Sequence, residues 1–430
     1  MQTAVSSGLP VQKPRLMLVG PFFKPTYYGG VVQIYHQLLS HLQLLDPVIV
    51  SQRFRGDPIK MNEFDRTCAA EHGYQTVRIG RFELIFRPGA SFFEKVLDIA
   101  RFFRTTRREW RDLVRELRPD VIVCGATLAA GWLMDLIPDS VPLINYLHGE
   151  ELGNGQWGSR YVHPYLFAQQ LKAIRNADLN ISVSRYTAQR ASELAGIDVN
   201  HVVLLPNFVD ITRFAPPTNR EELRRKLGWH NKGIILSLAR LTPRKGIDQA
   251  IRALAELRRD GKLSDDWLHI IAGRGEQGEE LRALVGRLGV SDSTKFLGFV
   301  DESRLPEYYG AADIFLQPNR DLQGDTEGFG VVFLEANACG TAVIGGTAGG
   351  TADAIREGIT GLRVDSEHIH EISRAILQLT ENQELRLRMG RAGLEIVKRH
   401  HRLESGVAQF EALVLGTLRN ETSRVRQTAD

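Results

Sequence analysis

The sequence predicts an α/β protein with two Rossmann-like domains, each a doubly wound parallel sheet, that face one another across a cleft. Short apolar runs alternate with helical segments through most of the 430 residues, which indicates sheets covered by helices on both faces. A polar, proline-bearing stretch at 206–219 interrupts the series near its middle, and a second series follows. We therefore expect domains at residues 1–208 and 209–402, with ligand bound at the carboxyl ends of the strands.

Composition narrows the class of protein. A hydrophobic fraction of 43% is enough for two sizeable cores, and 54 Lys and Arg against 51 Asp and Glu give no general attraction to nucleic acid. The widely separated Cys68, Cys124 and Cys339 lack metal spacing and predict a reducing compartment. Residues 1–14 show no signal pattern, and no apolar run reaches the roughly 18 residues of a membrane span. We expect a cytoplasmic protein, soluble or peripheral at the inner membrane face.

Strands are expected at the short apolar runs. In the first half these fall at 15–20, 48–50, 82–86, 121–124, 143–147, 179–183 and 202–205, with a helix at 31–42 after the first of them. In the second half they fall at 234–238, 268–272, 295–299, 314–317, 342–345 and 362–364. The loops after these strands are where ligand-binding residues are expected.

The stretch from 325 to 340 carries the strongest chemical signal. Glu327 and Glu335 stand eight positions apart, with a Gly-Phe-Gly break beside the first and an apolar run around the second. The run predicts a buried helix from about 329 to 339 that ends at Gly340. Free N–H groups at the start of a helix favour a phosphate, and carboxylates accept hydrogen bonds from sugar hydroxyls. A sugar nucleotide fits both features; the alternative is a core carboxylate satisfied by backbone donors beside an exposed loop residue.

This stretch resembles the Glu-x7-Glu motif of the family 4 retaining glycosyltransferases (glycosyl transferases group 1), and the resemblance covers most of the chain. It implies the GT-B architecture and the transfer of a sugar, with retention, from a nucleoside diphosphate donor to an acceptor hydroxyl by a front-face mechanism. UDP-, GDP- and ADP-sugars are all compatible donors, and a glycolipid, a polysaccharide or a small molecule is a compatible acceptor. The resemblance also implies that a helix at 403–418 packs back on the first domain.

The same resemblance assigns roles within the motif. Glu327 would orient the sugar hydroxyls during catalysis, Glu335 would bind the ribose, and backbone N–H groups of Phe329, Gly330 and Val331 would hold phosphate or sugar. The sequence shows no Asp-x-Asp pair in a plausible metal position. We therefore expect neither a metal requirement nor a bound cofactor.

A basic loop, Arg240-Leu-Thr-Pro-Arg-Lys245-Gly246, follows the first strand of the second half. Cations at the carboxyl end of a strand suit a diphosphate whose charge grows as the glycosidic bond breaks. Arg240 and Lys245 match the diphosphate pair of the resembling family and are expected to act in catalysis. Arg244 is the alternative phosphate ligand, and a solvated basic loop is the purely structural alternative.

Two strand ends in the first half are further candidates. Gly29 and Gly30 occupy the first βα loop, where missing Cβ atoms let backbone N–H groups approach a phosphate. By resemblance they contact the donor diphosphate and the acceptor side. His148 ends another strand; by resemblance it is an active-site residue that bonds a donor sugar hydroxyl and helps to stabilise the transition state. Glu150 and Glu151 are candidates for acceptor contacts.

One motif points to a different class of enzyme. Gly273-Arg-Gly275-Glu-Gln-Gly278 follows a strand, opens a helix and satisfies the G-x-G-x-x-G fingerprint of dinucleotide-binding folds. It keeps an NAD(P)-dependent oxidoreductase as an alternative, although the paired glutamates then have no role. The resembling family places a glycine loop here beside the nucleotide base, which gives Gly273 and Arg274 a donor-binding role. A sugar-nucleotide epimerase of the same fold and a non-catalytic binding subunit are the remaining alternatives.

Arginines recur at helical spacing between 101 and 118, while Trp110 and Val114 lie on another face of the same predicted helix. Such a helix lies on an anionic membrane, as in relatives that glycosylate lipids, or packs its apolar face on its own sheet. Peripheral membrane contact through 101–118 is therefore one alternative. The other partners expected are a nucleotide-sugar donor and a carbohydrate or lipid-linked acceptor, without nucleic acid.

Overall fold

The computed structural model describes residues 12–20, 23–25, 29–53, 58–80, 91–125, 131, 133–149, 152 and 163–427. Within these residues the chain forms two sheets whose strands all run parallel. The first has seven strands in the order β3-β2-β1-β4-β5-β6-β7, and the second has six in the order β10-β9-β8-β11-β12-β13. In each sheet the strand order reverses beside its first strand, which confirms the predicted doubly wound class.

The strands overlap the predicted runs closely. Those of the first sheet are β1 (Arg15–Val19), β2 (Asp46–Gln52), β3 (Gln75–Ile79), β4 (Val121–Cys124), β5 (Leu143–Leu147), β6 (Leu179–Ser182) and β7 (Val202–Leu204). Those of the second are β8 (Gly233–Leu238), β9 (Trp267–Ala272), β10 (Thr294–Gly298), β11 (Ile314–Gln317), β12 (Ala342–Gly346) and β13 (Gly361–Val364). The edge strand β3 was not predicted, and the run at 82–86 lies outside the described residues.

Helices flank each sheet. Around the first are α1 (Gly30–His41), α2 (Pro58–Glu71), α3 (Phe92–Leu117), α4 (His163–Asn176) and α5 (Arg185–Ala195). Around the second are α6 (Arg220–Leu227), α7 (Ile247–Arg259), α8 (Gly278–Arg287), α9 (Leu305–Ala311), α10 (Val331–Ala338), α11 (Thr351–Ala354), α12 (Ile369–Glu381) and α13 (Gln383–His400), and α14 (Leu403–Gln427) follows them. In the described part of the chain, no helix has both the length and the apolar character needed to cross a bilayer.

Central strands are buried on both faces because successive side chains of a strand point to opposite sides. In β1, Leu16 and Leu18 share an apolar cluster with residues of α1, whereas Met17 and Val19 share another with residues of α3. In β8, Ile235 lies in a cluster with residues of α7 and α12. This burial explains why the strands show continuous apolar runs in the sequence instead of strict alternation.

The chain passes between the two sheets twice, and the two passages lie side by side. The Val209 N–H donates to the His401 carbonyl at 2.8 Å, and the Leu403 N–H donates to the Val209 carbonyl at 3.1 Å. The His401 ring Nδ1 hydrogen-bonds with the Asn207 carbonyl at 3.0 Å. These bonds join both passages into one short two-stranded segment.

Helix α14 follows the second passage and packs against α1. The Glu411 carboxylate accepts N–H bonds from Gln43 and Leu44, just after the end of α1, at 2.7 and 2.6 Å. We refer to β1–β7 with their helices and α14 as the first domain, and to β8–β13 with theirs as the second. The boundaries at 208 and 402 stay predictions.

Candidate active site

The loops after several strands meet where the two domains face each other. A Cβ atom on Gly328 would lie 1.8 Å from the His148 carbonyl oxygen, and one on Gly30 would lie 3.2 Å from Cγ1 of Val331. The first of these approaches leaves no room for any side chain. Gly29 is the N-cap residue of α1, and no described atom lies within 4 Å of where its Cβ would be. Three of the predicted site segments therefore come together.

Cations surround the carboxylate of Glu327, which lies in the loop before α10. Lys245 Nζ is 2.5 Å and Arg244 Nη1 is 3.3 Å from Glu327 Oε2. Burial by itself would raise the pKa of Glu327, but the charges of Lys245, Arg244 and Arg240 outweigh it and lower the pKa to about 2. Glu327 is therefore ionised at neutral pH, and its oxygens can only accept hydrogen bonds.

The basic loop after β8 takes its shape from a tight turn at Pro243–Lys245. Gly246 ends this turn with φ 68°, and a Cβ there would lie 1.9 Å from the Pro318 carbonyl oxygen. Only glycine fits this position. The turn directs Lys245 inward, where it is 9% exposed, whereas Arg240 stays exposed beside it.

Arg244 lies behind the loop that carries Glu327. Its side chain is 8% exposed, with Nε 3.4 Å from the Asp325 carboxylate and Nη1 3.4 Å from the Thr326 carbonyl oxygen. The sequence makes Arg244 an alternative phosphate ligand. In this structure its side chain contacts the 325–327 loop, and the assignment of Arg240 and Lys245 to the diphosphate stays a prediction.

Helix α10 begins at Val331, so the prediction of a start at about 329 was wrong by two residues. Gly330 has φ 90°, a left-handed conformation that a helix excludes, and Phe329 is buried in the loop before it. The N–H groups of Phe329, Gly330 and Val331 still lie around the helix start, where the helix dipole favours an anion. Their contact with phosphate or sugar stays a prediction.

Glu335 lies in the second turn of α10 and is 8% exposed. The Tyr309 hydroxyl donates to its Oε2 at 2.8 Å. Burial raises the pKa of Glu335 to about 7, against the opposing effects of this hydrogen bond and of the Arg213 charge. The carboxyl therefore has an environment that makes ionisation costly, and ribose binding by Glu335 stays a prediction.

His148 follows β5 and lies against two aromatic rings. Its ring centre is 5.1 Å from that of Tyr35 and 4.4 Å from that of Tyr146. The residue is 5% exposed, and burial lowers its pKa to about 3. The imidazole is therefore neutral at physiological pH and can both donate and accept one hydrogen bond. A catalytic role for it stays a prediction.

The glycine fingerprint after β9 is used for loop packing. A Cβ on Gly273 would lie 1.8 Å from the Ala239 carbonyl oxygen, and one on Gly275 would lie 2.3 Å from that of Leu241. The Arg274 guanidinium lies 5.7 Å from the centre of the Phe299 ring. The glycines thus let this loop approach the basic loop, which accounts for the motif without a dinucleotide.

Two residues that were not predicted from the sequence contact the loop that carries Glu327. The hydroxyls of Ser184 and Thr187 reach the Gly328 carbonyl oxygen at 2.6 and 3.3 Å. The only sequence signal at this position was a serine before a helix, which predicts an N-cap. No local sequence pattern predicts a contact between residues 144 positions apart.

Some expectations fall beyond what the structure describes or tests. Glu150 and Glu151 lie outside the described residues. Among the residues that are described, no group of three or more His, Cys, Asp or Glu side chains is placed to hold a metal ion. Independence of metals and cofactors stays a prediction.

Comparison with known proteins assigns both halves of the chain to glycosyltransferase families. Residues 28–213 match the family described as Glycosyltransferase Family 4, and residues 219–395 match Glycosyl transferases group 1. The two matches follow each other with few residues between them. The first match covers β2 to β7 of the first sheet, and the second covers β8 to β13, the whole second sheet.

Two similar proteins are bacterial mannosyltransferases. The GDP-mannose-dependent alpha-(1-6)-phosphatidylinositol monomannoside mannosyltransferase of Mycolicibacterium smegmatis is 36% identical over 252 residues, 57% of this chain and 63% of that protein. The GDP-mannose-dependent monoacylated alpha-(1-6)-phosphatidylinositol monomannoside mannosyltransferase of Corynebacterium glutamicum is 33% identical over 305 residues, 67% of this chain and 74% of that protein. The match to the first therefore spans a little under two thirds of its length.

Solved structures share the fold at low sequence identity. Sucrose-phosphate synthase from Thermosynechococcus elongatus superimposes with a TM-score of 0.74 at 19% identity, covering 95% of this chain and 100% of that one. Anabaena Alr3699/HepE in complex with UDP gives a TM-score of 0.72 at 19% identity, covering 94% and 100%. The chain has the GT-B architecture and belongs to the family 4 glycosyltransferases, the glycosyl transferases group 1.

Proposed function

We propose that the protein is a retaining glycosyltransferase that moves a hexosyl group from a nucleoside diphosphate sugar to an acceptor hydroxyl in the cleft between its domains. The observation that supports this most is the ionised Glu327 carboxylate, held by Lys245 at the carboxyl ends of β8 and β11. The Glu327 carboxylate, which can accept hydrogen bonds from sugar hydroxyls, therefore lies beside the Lys245 ammonium group, which can bind a diphosphate. A nucleotide sugar is the substrate class that needs both.

The proposed reaction is a front-face substitution. The bond between the anomeric carbon and the diphosphate oxygen breaks, and the leaving diphosphate takes the proton of the acceptor hydroxyl as that hydroxyl joins the same face of the sugar. Arg240 and Lys245 stabilise the growing diphosphate charge. An ammonium group carries three N–H donors, so a lysine can bridge a carboxylate and a phosphate.

The remaining site residues hold the donor sugar and nucleoside. Glu327 accepts hydrogen bonds from the sugar hydroxyls, and neutral His148 bonds one more. Glu335 accepts from the ribose hydroxyls, while the N–H groups of 329–331 face the phosphates or sugar. Gly273 and Arg274 lie beside the base, and Gly29 and Gly30 contact the diphosphate from the first domain.

GDP-mannose is the first donor to test, because two of the similar proteins are named as dependent on it. The acceptor is a hydroxyl of a lipid-linked sugar or inositol, since the same proteins are named for a phosphatidylinositol monomannoside. Transfer would be followed by mass spectrometry of the lipid product. Retention would be read from the anomeric configuration of the new linkage by NMR.

Thermal unfolding with GDP, UDP, ADP and NAD tests the donor assignment directly. A ligand that binds only the native state adds about 2.7 kcal/mol at a hundredfold excess over its Kd. We expect GDP to raise the melting temperature more than UDP or ADP do, and NAD to leave it unchanged. Stabilisation by NAD alone would contradict the transferase and favour the oxidoreductase alternative.

The first turns of α3 are the candidate for peripheral membrane contact. Phe93 and Leu97 are 76% and 55% exposed there, while Trp110 and Val114 further along are buried against the first sheet. Trp110 and Val114, on the apolar face predicted within 101–118, therefore lie in the core, and the exposed Phe93 and Leu97 precede that segment. Exposed arginines continue from the exposed apolar part at 101, 104, 108, 111 and 115. Exposed apolar side chains such as Phe93 and Leu97 can insert among lipids, while the neighbouring arginines are attracted to anionic headgroups.

A flotation assay with vesicles of phosphatidylcholine and phosphatidylglycerol tests this contact. Phe93→Asp with Leu97→Asp is expected to lower vesicle binding at least about tenfold, because buried apolar contact is replaced by charge repelled from anionic lipid. The matched control is Ile359→Asp, the same kind of apolar-to-acidic surface change at a residue 53% exposed on the second domain. Equal binding of the double variant, the control and the parent protein would contradict membrane contact through α3.

A further inference from the structure

Two side-chain hydroxyls of the first domain hydrogen-bond with the backbone next to Glu327. The Ser184 hydroxyl donates to the Gly328 carbonyl at 2.6 Å, and the Thr187 hydroxyl lies 3.3 Å from the same oxygen. Both side chains are at most 1% exposed. Bonds excluded from water contribute more than exposed ones, because opening them leaves buried polar atoms unpaired.

A third segment completes this junction from the second domain. The Gly350 N–H donates to the Glu327 carbonyl at 2.7 Å. A Cβ on Gly350 would lie 2.0 Å from the Gly328 carbonyl oxygen and 2.6 Å from Ser184 Oγ, so this residue must be glycine. The two peptide groups that follow the Glu327 side chain are therefore fixed, the first by the second domain and the next by the first domain.

An ion pair extends the same contact between the domains. The Arg185 backbone N–H donates to Asp353 Oδ2 at 2.9 Å, and its Nε lies 2.8 Å from Oδ1. Asp353 belongs to α11, which begins directly after Gly350. Residues 184–187 thus contact two consecutive segments of the second domain.

We propose that Ser184, with Thr187, is a positioning residue that places Glu327 only when the two domains are closed on each other. The role of Glu327 that this serves rests on the proposed function, whereas the contact itself does not. The first domain thereby sets the orientation of a carboxylate that belongs to the second. Opening the cleft removes the Gly328 carbonyl from both hydroxyls and releases the second peptide group after Glu327.

Ser184 also caps α5, since its Oγ accepts the Thr187 N–H at 3.1 Å. Loss of a cap destabilises a helix by itself, so a loss of activity in Ser184→Ala could arise without any positioning effect. The matched control is Asn219→Ala. Asn219 caps α6 through the Glu222 N–H at 3.0 Å, on the surface of the second domain.

Hydrogen exchange followed by mass spectrometry separates the two effects and needs no substrate. In Ser184→Ala, peptides covering 324–335 are expected to exchange about tenfold faster than in the parent protein, because a buried bond that held them is gone. Thr187→Val, which removes the second hydroxyl without removing the cap, is expected to give a smaller increase there. Ser184→Thr should restore the parent rate, and Asn219→Ala should affect only peptides around α6.

Unchanged exchange at 324–335 in both Ser184→Ala and Thr187→Val would overturn the proposal. Where the parent protein transfers mannose from GDP-mannose, Ser184→Ala is also expected to lower kcat about tenfold with little change in the KM for donor. An unchanged kcat beside faster exchange would overturn the positioning role. If the parent protein transfers nothing from GDP-, UDP- or ADP-sugars, the proposed function fails, and exchange at 324–335 still decides whether the hydroxyls hold this loop.

Discussion

Replacing Lys245 by alanine is expected to lower kcat with a nucleotide-sugar donor by about two to three orders of magnitude. A preorganised charge at a developing anion contributes roughly that much to catalysis. Lys245 also pairs with Glu327 at 2.5 Å. Under the proposed function, its loss therefore removes a diphosphate contact and leaves the Glu327 carboxylate less well held. Product formation at saturating donor measures the effect. Lys232→Ala is the control, because Lys232 pairs with Asp266 on the surface of the same domain.

The same variant should change how stability depends on pH. The pKa of Glu327 is lowered to about 2, so the stabilisation from its ion pairs is present above the ordinary pKa of 4.5 and disappears as the pH falls towards 2. The parent protein should therefore exceed Lys245→Ala in free energy of unfolding at pH 7, with the gap narrowing in acid. A kcat within twofold of the parent, or a gap that does not depend on pH, would remove Lys245 from the proposed site.

Replacing Glu335 by glutamine is expected to weaken binding of the nucleoside diphosphate and, at the same time, to make the protein more tolerant of alkaline pH. A lost hydrogen bond to a charged group costs about 1.5–3 kcal/mol, so the Kd should rise at least about tenfold. Calorimetric titration measures it. Glu395→Gln, at an exposed carboxylate on α13, is the control.

The stability effect follows from burial. The pKa of Glu335 is about 7 in the folded protein against an ordinary value of 4.5, so the unfolded chain releases this proton first as the pH rises. Folding then loses about 3 kcal/mol between these two values, and glutamine, which does not ionise, avoids that loss. Relative to the parent, Glu335→Gln should gain stability from pH 5 to pH 8. Unchanged affinity together with such a gain would show a core carboxylate without a ribose contact.

The strands that build the cleft could be predicted because each is buried on both faces and therefore apolar throughout. The strand Gln75–Ile79 escaped this rule, since it lies at the sheet edge and its Gln, Thr and Arg break the apolar pattern. The helix around Glu335 was predicted with its start two residues too early. The apolar residues of the sequence predicted the helix itself, but the left-handed backbone of Gly330, which delays its start, is visible only in the structure.

Some residues of the candidate site could likewise be predicted from local sequence pattern, whereas others depend on tertiary packing. Glu327, Lys245 and His148 lie directly after strands or at a motif, so their positions followed from local pattern. The burial of Arg244 behind Asp325 and Thr326 depends on how two loops pack, and composition predicts an arginine to be exposed. Ser184 was missed for the same reason, because its partner comes from the other domain.

The two-stranded passage at Val209 and His401 has a consequence for the order in which the protein is made. The second domain is one continuous segment, whereas the first is completed by α14 through Glu411, after the second domain has been synthesised. Contacts between residues so far apart in sequence form late and slowly. On the ribosome, the second domain can therefore reach its final form while the first still lacks the helix that covers α1. A nascent chain should therefore complete the second domain before it completes the first.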